Sequence, residues 1–280
     1  MQYPINEMFQ TLQGEGYFTG VPAIFIRLQG CPVGCAWCDT KHTWEKLEDR
    51  EVSLFSILAK TKESDKWGAA SSEDLLAVIG RQGYTARHVV ITGGEPCIHD
   101  LLPLTDLLEK NGFSCQIETS GTHEVRCTPN TWVTVSPKLN MRGGYEVLSQ
   151  ALERANEIKH PVGRVRDIEA LDELLATLTD DKPRVIALQP ISQKDDATRL
   201  CIETCIARNW RLSMQTHKYL NIAWLNIYKR YKWVEPVKTS AHLYSLSPLK
   251  NLHFARPKLI IIILYKFYGV NFSLEWKLLR

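Results

Sequence analysis

Through the first 223 residues, short apolar runs alternate with segments whose apolar residues recur at helical spacing. Residues 22–29 (PAIFIRLQ), 87–92 (RHVVIT), 114–119 (SCQIET), 132–136 (WVTVS), 157–161 (EIKHP), 184–189 (RVIALQ) and 211–215 (RLSMQ) are predicted strands, mostly rich in β-forming types. Residues 72–81, 100–111, 166–178 and 195–209 are predicted helices. Ser72 is the expected N-cap of the first helix, with Leu75, Leu76 and Ile79 on one face, and Asn111-Gly112 is expected to close the second in the left-handed conformation. Several strands are apolar on both faces. Such strands alternating with helices predict an α/β fold built on a parallel sheet under helical cover.

Composition narrows this little but excludes much. The 280 residues are 44% apolar and 23% charged, enough to bury a full α/β core. That rules out a disordered chain, a collagen-like repeat and a small disulfide scaffold. The longest apolar run, residues 259–264, has six members against the ~20 of a membrane helix. Met1-Gln2-Tyr3-Pro4 carries no basic or apolar leader, so no signal peptide is expected. Eight cysteines then point to a reducing, cytoplasmic setting, where thiols bind metal, react or pack.

Charge divides the chain. Residues 1–223 hold 24 basic and 29 acidic side chains, and residues 224–280 hold 10 and 2. All eight cysteines lie before residue 206, and 11 of the 26 aromatics lie in the last 57 residues. Two domains are therefore expected: a body, 1–223, and a basic, aromatic-rich extension, 224–280.

Cys31-Pro-Val-Gly-Cys35-Ala-Trp-Cys38 puts three thiols in a loop just after a predicted strand. Three cysteines cannot pair among themselves, and a structural zinc closes four ligands, for which Asp39, His42 and Cys97 are the candidates. A [4Fe–4S] cluster held at three irons keeps the fourth open. CxxxCxxC with an aromatic residue, Trp37, before the third cysteine resembles the radical S-adenosylmethionine enzymes. Thr92-Gly93-Gly94-Glu95-Pro96 ends another predicted strand, where two glycines permit close backbone approach to a ligand; alone it is a tight βα turn. Ser136-Pro137-Lys138 ends a third, and alone it is a loop with a solvated lysine. In a parallel barrel these strand ends converge on one face.

Arg27 sits in an otherwise apolar strand, where a buried guanidinium requires an anionic partner. That partner is either a ligand carboxylate or a distant Asp or Glu. Leu12-Gln13-Gly14-Glu15-Gly16 reads as a polar turn, or as donors and acceptors presented to a flat heterocycle. Asp39 and Thr40, directly after the third cysteine, suit either helix capping or oxygen ligation of Mg²⁺.

Together, QGEG, Arg27, CPVGCAWCDT, TGGEP and SPK resemble the 7-carboxy-7-deazaguanine synthase family over residues 1–223. The resemblance implies a trimmed partial (β/α) barrel of the radical S-adenosylmethionine type and a homodimer. It implies ring contraction of 6-carboxy-5,6,7,8-tetrahydropterin with loss of ammonia, on the way to queuosine. It implies a [4Fe–4S] cluster on Cys31, Cys35 and Cys38, and Mg²⁺ on Thr40. S-adenosylmethionine would lie on Trp37, Cys38, Asp39, Gly94, Ser136, Pro137 and Lys138. Substrate would lie on Leu12, Gln13, Gly14, Arg27 and Thr92, with Glu118 and His217 as further polar contacts. An electron donor such as a flavodoxin or ferredoxin would be needed; neither nucleic acid nor membrane is expected as a partner.

Two other classes compete. An activator of a glycyl-radical partner protein can share the cysteine motif, but a protein substrate does not require a buried carboxylate clamp. A zinc or nucleic-acid module fits poorly with the net negative body. Cys97, Cys115, Cys127, Cys201 and Cys205 are expected to pack, and His88 and His99 to lie at the surface or cap elements. The 224–280 extension is expected to be poorly ordered, an appended sequence carrying no site residue.

Overall fold

The computed structural model describes residues 1–220. The chain divides into a first unit, Met1–Tyr228, and a second, Lys229–Arg280. The described residues belong to the first, and the expectations for residues 224–280 lie outside them.

Nine strands form one sheet: β1 (Tyr3–Leu12), β2 (Pro22–Leu28), β3 (Gly68–Ala70), β4 (His88–Gly93), β5 (Ser114–Thr119), β6 (Trp132–Val135), β7 (Glu157–Val162), β8 (Val185–Pro190) and β9 (Arg211–Leu212). Their order is β3-β1-β2-β4-β5-β6-β7-β8-β9. From β2 to β9 every pairing is parallel. The all-parallel expectation fails at one edge, where β1 and β3 run antiparallel. Tyr3–Leu12 is the first strand of the chain, ahead of the one expected to open it. Its polar residues Asn6, Glu7, Gln10 and Thr11 interrupt the apolar alternation, yet all are buried.

Among the described residues seven helices accompany the sheet: α1 (Leu54–Leu58), α2 (Ser72–Gln82), α3 (Leu102–Lys110), α4 (Ser149–Arg154), α5 (Val165–Ala176), α6 (Asp195–Arg208) and α7 (Thr216–Tyr219). The cap of α2 is Ser71, one residue before the expected Ser72. Its hydroxyl accepts from the Asp74 amide while the Asp74 carboxylate accepts from the Ser71 amide. After α3 the chain turns left-handed at Gly112, φ +80°. No helix among the described residues is long and apolar enough to cross a membrane.

The two sheet faces differ in chemistry. One is apolar: Ile24, Ile26, Leu28, Val89, Ile91, Ile117, Val133 and Ile158 join a core that includes helix residues Leu75, Val78, Leu104, Leu108, Leu152 and Leu171. Cys97, Cys115, Cys201 and Cys205 are buried in it, as expected. The other face is not apolar throughout, which corrects the two-sided reading of the strands. Toward the strands' N-terminal ends it holds Phe9 stacked on Phe25, with Phe18 against His88 and Trp132. Beside that cluster the same face holds Glu7, Arg27, Gln116, Thr134, Glu157 and Lys159, all buried, and the partly exposed Glu118. His88 is therefore a buried residue, its ring between Ser114 Oγ at 3.0 Å and Gln116 Oε1 at 2.9 Å. His99 is half-buried with its ring edge-on to Tyr3.

Candidate active site

The loops at the C-terminal ends of the parallel strands surround one cavity. Cys31, Cys35 and Cys38 follow β2, Gly94 follows β4, Ser120 follows β5, and Ser136 and Lys138 follow β6; all line it.

The cysteine loop is held by main chain from three sides. The Cys31 amide donates to Trp44 O at 2.9 Å, and Gly30 N to Thr43 O at 2.7 Å. Gly143 N donates to Val33 O at 3.0 Å, so close that a Cβ on Gly143 would lie 2.0 Å from Pro32 O. The glycine pair of the TGGEP segment docks on the loop's base. Gly94 N donates to Leu28 O and Glu95 N to Gly30 O, both at 2.8 Å. A Cβ on Gly93 would meet Leu28 N at 2.2 Å and one on Gly94 would meet Gly30 O at 2.0 Å. These glycines pack backbone to backbone, and both also line the cavity. Glu95, 1% exposed, fastens the same segment to the end of β5: its carboxylate accepts from Cys97 N, Thr119 Oγ1 and Ser120 N at 3.0, 2.6 and 2.8 Å, and from Ser120 Oγ.

Burial pushes the Cys31 thiol up to about 11 and raises Cys35 as well. Bare, these groups stay protonated; a metal would take them as thiolates. Two N–H groups point at the Cys38 sulfur: Trp44 Nε1 at 3.3 Å and Thr40 N at 3.4 Å. The three candidates for a fourth zinc ligand are engaged elsewhere. Asp39 accepts from Lys218 Nζ at 2.9 Å and Gln215 Nε2 at 3.0 Å. His42 stands 3.9 Å from Glu7 Oε1, and Cys97 lies in the core. No three His, Cys, Asp or Glu among the described residues gather around the point one ion requires. Neither Asp39 nor Thr40 caps the short 3₁₀ turn that follows through a side-chain hydrogen bond.

A second cavity adjoins the first and shares Glu15, Arg27, Asp39, Thr40, Thr92, Glu118 and Lys218 with it. Arg27 faces Thr92 across the β2–β4 pair. Its Nε donates to Glu7 Oε2 at 2.8 Å, so the distant acidic partner exists, on the neighbouring strand. The terminal nitrogens of Arg27 and the Thr92 hydroxyl make no hydrogen bond among the described residues, and none of these atoms is sealed away. The guanidinium thus holds an internal ion pair and keeps its terminal edge toward the cavities.

Lys159 stands at the centre of the charged end. Its ammonium, 4% exposed, donates to Glu15 Oε2 and Glu118 Oε2, each at 2.8 Å. Burial opposes that charge, but Glu118, Glu15 and Glu157 overcome it and hold the ammonium well above its ordinary range. Burial would also raise Glu15, yet Lys159 and Gln215 bring it down to about 2. Glu118 goes the other way: burial outweighs Lys159, Glu15 and Glu157 add to it, and the carboxyl rises to about 7. Gln13 Nε2 reaches Glu118 Oε1 at 3.4 Å.

Other expected residues sit less centrally. Leu12 ends β1, 38% exposed, and lines neither cavity. Gly14 packs under the His217 ring, where a Cβ would lie 2.5 Å from Nδ1, and its carbonyl accepts from Thr216 N at 3.0 Å. Pro137 lines a neighbouring groove with Trp37 and Met141.

No family model matches the chain. Whole proteins do. The 7-carboxy-7-deazaguanine synthase of Buchnera aphidicola subsp. Schizaphis graminum is 50% identical over 222 residues, 79% of this chain and 100% of that protein. The chain belongs to the 7-carboxy-7-deazaguanine synthase family. The synthase of Flavobacterium psychrophilum is 34% identical over 221 residues, covering 78% of this chain and 92% of its own. The crystal structure of QueE from Escherichia coli matches with a TM-score of 0.74 and 98% identity, over 76% of this chain and 94% of that one. Against this family background, Lys159, Glu157 and Trp44 are the cavity-region residues that motif reading missed, and Glu95 stood in the TGGEP motif with no role of its own. Only Lys159 and Glu157 carried a usable signal, two charges at alternate positions of a predicted strand.

Proposed function

We propose that the chain converts 6-carboxy-5,6,7,8-tetrahydropterin to 7-carboxy-7-deazaguanine with release of ammonia, as a carbon–nitrogen lyase of queuosine biosynthesis. The observation that carries this reading is a single cavity bearing three cysteines of one loop together with the free edge of Arg27 and the Thr92 hydroxyl. A small carboxylated heterocycle fits that combination, and the names of the relatives agree with it. The run of parallel strands is read as a trimmed partial (β/α) barrel, with residues 1–223 as its catalytic body and no site residue beyond.

The donor set fits a [4Fe–4S] cluster: three unpaired thiols on one loop, two of them raised by burial and the third with N–H groups aimed at its sulfur. Bound with S-adenosylmethionine, the cluster supplies hydrogen abstraction from the substrate. The chain's residues do the rest. Trp37, Cys38, Asp39, Gly94 and the Ser136–Lys138 segment hold S-adenosylmethionine. Arg27 and Thr92 hold the substrate carboxylate, with Thr40 placing Mg²⁺ against it. Gln13 is buried beside Glu118 and presents its amide to the pterin; Leu12 and Gly14 contribute main chain only. Loss of ammonia requires a proton on the leaving nitrogen, and Glu118, raised to about 7, can give or take one near neutral pH. The working form is a cytoplasmic homodimer reduced by a flavodoxin or ferredoxin.

The test is anaerobic incubation of the reconstituted protein with S-adenosylmethionine, reductant, Mg²⁺ and the carboxypterin. A product lighter by one ammonia, with a 7-deazapurine ultraviolet spectrum, is expected. Unchanged pterin, with hydrogen transfer to a glycyl-radical partner instead, would reverse the assignment. Truncation after Ala223 should leave turnover intact.

A further inference from the structure

Glu7 belongs to none of the motifs, yet it is 2% exposed and bonded to the residue that offers its edge to both cavities. Its position depends on an irregularity. β1 pairs Ile5 with Leu28 and then, after a register shift, Glu7 with Arg27. Regular antiparallel pairing would have set Asn6 opposite Arg27. The bulge re-aims the strand so that a carboxylate takes that place. Asn6, displaced, turns its amide to Gln29 Oε1 at 2.6 Å and Ser64 O at 2.9 Å. Glu7 therefore reaches Arg27 from the position paired with it on the neighbouring strand.

The bond falls on Nε, 2.8 Å from Oε2. A guanidinium can meet a carboxylate side-on through Nε and one Nη, or end-on through both Nη atoms. With Nε taken, only the end-on edge remains. We propose that Glu7 is a positioning residue that locks Arg27 by its Nε, so that the Nη1–Nη2 edge selects ligands carrying a carboxylate. The inference rests on the reading that Arg27 meets the substrate carboxylate. Its physical basis is preorganisation: a long side chain already fixed in its binding geometry loses less freedom when the ligand arrives. The charge of Glu7 works against anion binding, so orientation and charge make opposite predictions and can be separated.

Two conservative variants do this in the reconstituted holoenzyme. Glu7→Gln keeps the reach and an oxygen acceptor for Nε but loses the charge. Glu7→Asp keeps the charge but is one methylene short of Nε. The readout is equilibrium binding, by ligand fluorescence, of two stable probes: 6-carboxypterin and pterin without the carboxylate. The ratio of the two affinities reports carboxylate selection and is insensitive to a general loosening of the cavity. Glu7→Gln should keep the wild-type ratio within about threefold or increase it, because an anion is no longer opposed by a neighbouring charge. Glu7→Asp should lower it tenfold or more by weakening 6-carboxypterin alone. A ratio retained in Glu7→Asp, or lost in Glu7→Gln, overturns the proposal. A wild-type protein that does not prefer 6-carboxypterin over pterin fails differently: it removes the carboxylate reading itself.

Discussion

Replacing Lys159 with Met isolates the charge balance of the carboxylates that line the cavity. Lys159 is 4% exposed and bridges Glu15 and Glu118 at 2.8 Å each, with those side chains 20% and 14% exposed. Methionine fills a similar volume and leaves the carboxylates facing each other. Lys138, a half-buried ammonium lining the same cavity, donates to Ser136 Oγ and bonds to neither carboxylate. Breaking a buried pair by removing one partner costs about 3–5 kcal/mol. In a domain of this size 1 kcal/mol moves the melting temperature by about 2–4 °C, so Lys159→Met should melt roughly 6–20 °C lower near neutral pH. The loss should depend on pH in a definite direction. In the wild type, Glu118 is raised to about 7, so the folded protein keeps a proton that the unfolded chain releases; that contribution is full below the ordinary carboxylate range and fades as pH rises toward 7. Glu15, held at about 2, contributes above the ordinary range and loses its contribution as pH falls toward 2. Without the ammonium both carboxyls rise, so the variant's deficit should widen with increasing pH and narrow below about pH 5. Urea or thermal unfolding at pH 5 and pH 8 reads this out. A deficit equal at both pH values, or a shift under 2 °C, would refute the buried-pair reasoning.

Three further outcomes are expected. Cys31→Ala, Cys35→Ala and Cys38→Ala should each lose the brown chromophore and turnover together, whereas Cys201→Ala and Cys205→Ala should keep the iron; an iron-replete Cys35→Ala protein removes the ligand assignment. Arg27→Lys keeps the charge but loses the planar fork, and loss of a charged hydrogen bond, worth about 1.5–3 kcal/mol, should weaken carboxypterin binding roughly ten- to hundredfold while S-adenosylmethionine binding persists; equal affinity by titration would make Arg27 purely structural. Trp44→Phe removes the N–H that points at Cys38 Sγ, so the cluster's reduction potential, followed by electron paramagnetic resonance, should become more negative; an unmoved potential would show that this contact does not reach the metal.

What was legible along the chain follows the range of the interactions. The cysteine loop, the TGGEP and SPK segments and the predicted strand 114–119 are local patterns, and the fold places each at a strand or strand end as expected. β1 was hidden because one of its faces meets the polar lining of the cavity, so Glu7 and Thr11 break the alternation that marks a half-buried strand. The partner of Arg27 lay 20 residues away on that same unrecognised strand. Trp44 sits six residues beyond Cys38, and nothing in its neighbours shows that its indole returns to the sulfur. The Lys159 network joins residues 144 and 41 positions apart, which only the closing of the sheet brings together.

Label transfer tests most directly whether the cysteine loop and the Arg27 edge serve one reaction in one cavity. Carboxypterin carrying deuterium at C6 is turned over anaerobically with S-adenosylmethionine and reductant, and the recovered S-adenosylmethionine is examined by mass spectrometry. Deuterium at its 5′ carbon, with one ammonia released per product formed, is the predicted result. Unlabelled S-adenosylmethionine alongside full product formation would contradict the account, because the hydrogen at C6 would then have left by another route.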